Sequence, residues 1–131
     1  MTNESAIETE DKVSGLQFLQ RKTVIIDEMD LNGLAESWLK YLKINRNRSD
    51  NTISSYATDI DQFIAYLEWK KIRSYKIKPI IIDEWMGWLG RVRKNSPRTI
   101  ARKVEMLRSF YKYLVRIEVI HYNENPMEYV D

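Results

Sequence analysis

Between Arg91 and Lys112 the chain carries eight basic side chains, Arg91, Arg93, Lys94, Arg98, Arg102, Lys103, Arg108 and Lys112, against a single acid, Glu105. The planar fork of an arginine donates to two oxygens of one phosphate at once, and a lysine adds a compact point charge. Repeated along one segment, such groups are the electrostatic footprint of a surface that holds a polyanion. Ser96, Thr99 and Ser109 interleave hydroxyl groups with them. An ordinary solvated helix would pair the same cations with Glu105, which has Arg102 and Arg108 each three residues away and Lys112 seven.

Acid–base, nucleophilic and metal chemistry have no comparable set of residues. His121 is the one histidine and there is no cysteine, so a metal site lacks partners at ligand spacing. His121 is expected at the surface or capping a turn. Asp59 and Asp61 stand two apart on a predicted helix and so do not share a face. Asp83 and Glu84 complement a helix N-terminus, and Tyr56, Tyr111 and Tyr113 have no visible activating neighbour. The expectation is a binding domain with no cofactor, no metal and no catalytic residue of its own.

The elements that must position these groups are helical. The chain has 131 residues, 44% of them hydrophobic, with four tryptophans, enough for one real core. Four glycines and three prolines are too few to punctuate a strand-and-turn protein. The polar start, MTNESAIETEDK, is no secretory signal, and no apolar run reaches membrane-spanning length, so a cytoplasmic domain is expected. Residues 1–30 hold seven acids against three bases, a balance of −4, and the remainder balances to +6. Residues 1–29 are expected to be a flexible acidic segment outside the interface, with the folded domain spanning 30–131.

Apolar residues recur at three- and four-residue spacing over four stretches, near 31–44, 50–69, 80–92 and 96–116. Ser49, Asp50 and Asn51 offer caps to the second, Pro79 suits the first turn of the third, and Ser96–Pro97 opens the fourth. At 100° per residue, Ile100, Val104, Leu107, Tyr111 and Leu114 form a core stripe on the fourth helix. Arg98, Arg102, Ser109, Lys112 and Arg116 fall on the opposite side, interrupted by Glu105. Lys103 flanks the packing stripe and is expected to reach outward along its stem. Between helices, 45–49 and 70–79 are polar, basic connections. The tryptophans sit on apolar faces or at helix ends and are expected in the core.

Two stretches carry a recognisable pattern. SDNTISSYATDIDQFIAYLEW (49–69) resembles the Ser/Thr–Tyr–Asp–Phe–Leu signature that opens the DNA-binding domain of tyrosine recombinases. SPRTIARKVEMLRSFYKYLVRIEVIHYNENP (96–126) resembles the last helix of that domain and its Asn-Pro exit. The resemblance covers about residues 30–131 and implies an all-α, compact four- to five-helix SAM-like bundle. It implies a function too: clamping double-stranded DNA at the core site during integration or recombination, alongside other recombinase protomers in the full-length protein. The isolated domain is expected to be a monomer.

Carried over by position, the DNA-binding residues are Asn51, Thr52 and Ser55 on the second helix. On the fourth they are Ser96, Arg98, Thr99, Arg102, Lys103, Arg108 and Lys112. Tyr56 falls on the apolar stripe and is taken as structural. Family members continue into a catalytic domain with a tyrosine nucleophile; this sequence ends at Asp131, and the expectation is a fragment or truncation without strand-cleaving activity. Val119 replaces a frequent family glycine and is expected to lengthen or redirect the last helix. The alternative reading is a stand-alone interaction module whose basic face binds an acidic protein partner.

Overall fold

A computed structural model describes residues 31–130; the expectation for residues 1–29, and for Asp30 as a cap, lies outside the described residues. Four α-helices follow in order: α1 (Leu31–Ile44), α2 (Asp50–Trp69), α3 (Pro79–Arg91) and α4 (Pro97–Arg116), then a single 3₁₀ turn, Tyr122–Glu124. The all-α architecture expected from the apolar spacing is the one observed.

Each helix starts where its sequence supplies a start. Ser49 caps α2 by accepting from the Thr52 amide at 3.1 Å, and Ser96 caps α4 by accepting from the Thr99 amide at 3.2 Å. Pro79 and Pro97 take the first helical position, where a missing N–H costs nothing. Asn125, ahead of Pro126, is extended as that dipeptide requires. His121 caps the 3₁₀ turn, its amide donating to Glu124 Oε1 at 2.6 Å.

The helices end by a shared device. Asn47, Lys71, Lys94 and Glu118 all have positive φ, from 51° to 65°, and lie just past the four helices in turn. After α4, the Val119 amide donates back to the Leu114 carbonyl and the Glu118 amide to that of Val115, both at 3.0 Å. This left-handed closure satisfies carbonyls that the helix itself leaves open. Of the two outcomes expected from Val119, lengthening of α4 does not occur. The helix stops at Arg116, the reversal falls on Glu118, and Val119 turns inward into the core.

α1 packs on α2, and α4 lies against α1, α2 and α3. Leu34, Trp38, Ile60, Phe63, Trp85, Leu107, Phe110 and Leu114 are fully buried where the helices meet. Trp38 stacks on Tyr56 (5.6 Å between centroids, 14° between planes) and meets Phe110 edge-on at 5.4 Å, while Phe63 meets Trp85 edge-on at 4.9 Å. Such pairs add directional preference to burial that is worth about 1.5–3 kcal/mol per large side chain. The buried face of α4 is wider than the predicted stripe, because three helices touch it: Lys103, Met106, Phe110 and Tyr113 are buried as well. Trp69 departs from the expectation for tryptophans. It closes α2 at the edge of the bundle, where its ring meets Trp88 of α3 at 6.0 Å between centroids and its other face stays exposed.

Candidate nucleic-acid interface

The exposed arc of α4 carries Arg98, Arg102, Glu105, Lys112 and Arg116. Their spacing of four, three, seven and four residues holds them within about 80° of one another around the helix axis. One wall of a groove of about 580 Å³ is built from this arc through Glu105, Arg108, Ser109, Lys112 and Arg116. The other wall comes from the α1–α2 turn, with Arg46 and Arg48, and from the first turns of α2, with Thr52 and Tyr56. Five bases and one acid therefore line a single concavity. Burial raises the Tyr56 phenol above its usual pKa, partly offset by the Arg48 charge, so this ring stays neutral in the groove.

Beside the groove, the charges of α4 are tied to α2. Asp59 is buried, with 1% of its side chain exposed, and accepts from Arg102 Nε at 3.0 Å, Arg102 Nη2 at 2.9 Å and Lys103 Nζ at 3.1 Å. Lys103 Nζ also donates to Gln62 Oε1. An isolated buried carboxylate is expensive, and two cations on the facing helix offset that cost. The Asp59 hydrogen bond holds Arg102 above the ordinary guanidinium pKa. Since Asp61 is exposed, the two aspartates do point to different faces, as their spacing predicts.

One sequence expectation needs correction. Lys103 does not reach outward: only 4% of its side chain is exposed, because the buried Asp59 carboxylate draws it in. Arg102 lies on the exposed side where the helical wheel places it, with 47% of its side chain exposed beyond the Asp59 carboxylate it grips. Arg108 donates to Glu105 Oε2 at 3.2 Å and to the Val130 carbonyl at 2.7 Å, so it anchors the C-terminal turn as well as lining the groove.

The other predicted residues divide by position. Thr52, Arg108 and Lys112 are brought together in the groove. Asn51 and Ser55 are exposed on the first turns of α2, and Ser55 stands one turn before Asp59 on the same face. Ser96 and Thr99 are engaged with each other at the α4 cap, where Ser96 Oγ also donates to Thr99 Oγ1 at 3.1 Å. Thr99 and Lys103 line a separate cleft of about 300 Å³ with Tyr66, Trp69 and Trp88. Ser109 accepts from Trp38 Nε1 at 3.1 Å and so positions a core ring.

Sequence reasoning left Arg46, Arg48 and Arg116 out of the site. The basic character of 45–49 was the available signal for the first two. Arg116, whose guanidinium lies 5.6 Å from the Tyr41 ring centroid, already stood on the exposed side of the helical wheel. Among the described residues no group of three or more His, Cys, Asp or Glu is placed to hold a metal. No helix among them is long and apolar enough to cross a membrane.

Comparison with known proteins agrees with this architecture. The family described as phage integrase, N-terminal SAM-like domain, matches residues 35–118. The chain is 33% identical over 93 residues to a tyrosine recombinase XerC of Leptospira interrogans, covering 71% of this chain and 30% of that protein. It is 35% identical over 99 residues to the XerC of Anoxybacillus flavithermus (74% and 32%) and 38% identical over 98 residues to that of Listeria welshimeri (74% and 32%). The chain thus spans about a third of the length of these relatives. No solved structure matches it. With four helices in the expected order and a family match over 35–118, the chain belongs to the N-terminal SAM-like domains of the phage integrase, or tyrosine recombinase, family.

Proposed function

We propose that this domain holds duplex DNA at the core site of a site-specific tyrosine recombinase, with α4 and the first turns of α2 set against the major groove. The observation that carries this reading is the groove in which Arg46, Arg48, Arg108, Lys112 and Arg116 converge from two segments more than fifty residues apart. An α-helix fits a major groove, and cations on both of its sides can engage the two phosphate backbones. Arg98, Arg102 and Lys112 are the exposed cations of α4 that the proposal assigns to DNA, with Asn51, Thr52 and Ser55 contributing from α2. Ser96 and Thr99 act chiefly by fixing the start of α4, and Lys103 by seating Asp59. In this reading the domain supplies grip and position, while strand cleavage and the contacts between protomers belong to the whole recombinase. Its place of work is the cytoplasm, where bacterial DNA lies.

The test is fluorescence anisotropy of a labelled short duplex titrated with the 131-residue chain across ionic strength. Four to six phosphate contacts give a slope of log K against log salt near about −4 to −5, with non-specific dissociation constants on the order of 10–100 μM. A slope near zero, or displacement by an acidic polypeptide but not by unlabelled duplex, overturns the proposal in favour of a protein-interaction module.

A further inference from the structure

Glu105 stands at the middle of the exposed arc of α4, the one acid among five bases lining the groove. Its side chain is 64% exposed. Arg108 Nε donates to its Oε2, and Oε1 has no hydrogen-bond partner among the described residues. A carboxylate placed against a phosphate backbone would repel it and weaken the grip that the surrounding cations provide. Position resolves the conflict. Arg98 and Arg116 lie at opposite ends of α4, about 27 Å apart along the axis, while Glu105 lies between them. A helix that crosses a groove about 12 Å wide sets the middle of its length over the base edges and its ends toward the phosphates.

Base edges offer a carboxylate one well-matched donor. The exocyclic amino group of cytosine has a plain C–H beside it, whereas the amino group of adenine stands next to the N7 lone pair, which repels a second acceptor. We propose that Glu105 is a specificity-determining residue of the interface, accepting from the amino group of a cytosine in the major groove, with Arg108 holding the carboxylate in place. The proposal rests on the DNA-binding reading and adds to it a base class and a residue. Glu105 supplies discrimination at a cost in affinity.

The experiment exposes the 131-residue chain and its Glu105→Ala and Glu105→Gln variants to a library of duplexes randomised over twenty base pairs. Bound fractions are separated by gel shift and sequenced, and the selected duplexes are titrated individually. The wild type enriches a G·C pair at one position and loses roughly tenfold in affinity when that pair becomes A·T, a typical magnitude for one base-edge contact. Glu105→Ala binds most other duplexes severalfold more tightly and shows no preference at that position. Glu105→Gln shifts the preference toward adenine, whose N6 and N7 a glutamine amide matches as donor and acceptor. All three proteins melt together, because the side chain is exposed.

An unchanged base preference in both variants overturns the inference and leaves Glu105 as an ion partner of Arg108. Wild-type binding with no base preference also overturns it, while the DNA-binding reading stands. Absence of binding to any duplex overturns both.

Discussion

Arg102 and Asp59 meet across 43 residues of sequence, the guanidinium donating from both Nε and Nη2 to a carboxylate that is almost wholly buried. The pair joins the two helices that build the interface, and Lys103 completes it from beneath. A charge in this setting is an organiser: removing its partners costs more than its presence contributes.

Asp59→Ala therefore leaves the Lys103 ammonium buried without a counter-charge and is expected to cost about 3–5 kcal/mol. Arg102→Ala costs less, about 1–2 kcal/mol, because half of that side chain is already in water and Lys103 still faces the carboxylate. Replacing the inner pair together, Asp59→Leu with Lys103→Met, is expected to recover most of the loss. Urea unfolding of the four proteins checks the ranking, and Asp59→Ala melting like the wild type would contradict it.

On α4, exposed and buried positions separate binding from stability. Arg98→Ala and Lys112→Ala are each expected to stay within about 0.5 kcal/mol of wild-type stability while lowering the steepness of the salt dependence by about one unit. Leu107→Ala removes a fully buried side chain and costs about 2–5 kcal/mol. The two readouts are thermal melting and anisotropy on the same duplex at several salt concentrations.

Alkaline stability should expose Tyr111. Its ring is fully buried, its hydroxyl donates to the Tyr75 carbonyl at 3.0 Å, and burial pushes its pKa far above the usual phenol value. A folded-state pKa raised above the unfolded one means that the native state keeps the proton more tightly. The contribution is thus complete below about pH 10 and declines above it, at up to about 1.4 kcal/mol per pH unit. Melting temperatures measured from pH 8 to 11 should fall more gently in Tyr111→Phe, and tyrosinate absorbance of the wild type should rise together with unfolding.

Glu118 holds φ at 65°, a conformation that costs a residue with a Cβ about 1 kcal/mol and costs glycine almost nothing. Glu118→Gly keeps the Val119–Leu114 and Glu118–Val115 backbone bonds and is expected to raise stability by about 0.5–1 kcal/mol. Chemical denaturation measures it; a loss of stability would mean that the carboxylate, and not the backbone, secures this end of α4.

The four helices could be read from the sequence almost residue for residue. Their 3.6-residue periodicity is a local property, and Ser49, Ser96, Pro79 and Pro97 mark their starts. The stripe on α4 was legible for the same reason. Lys103 was misjudged because a helical wheel orders residues about one axis and says nothing of what the next helix brings to its flank. The signal lay in two places at once: Asp59 borders the apolar stripe of α2 as Lys103 borders that of α4. Arg46 and Arg48 escaped notice because their direction depends on the left-handed Asn47 between them, a conformation that composition does not reveal.

The two walls of the groove come from segments that are adjacent only after α3 has been laid down between them. Closing a loop of that length carries an entropic cost that native packing must offset. Partly folded forms of this chain can keep helix and positive charge without seating Arg102 on Asp59 or facing Arg48 toward Lys112. An isolated 96–116 peptide has the cations and lacks the partner that holds them in place. On the proposed DNA-binding reading, grip on the polyanion depends on this tertiary seating as well as on helix, and in a denaturation series it should fade no later than helical content does.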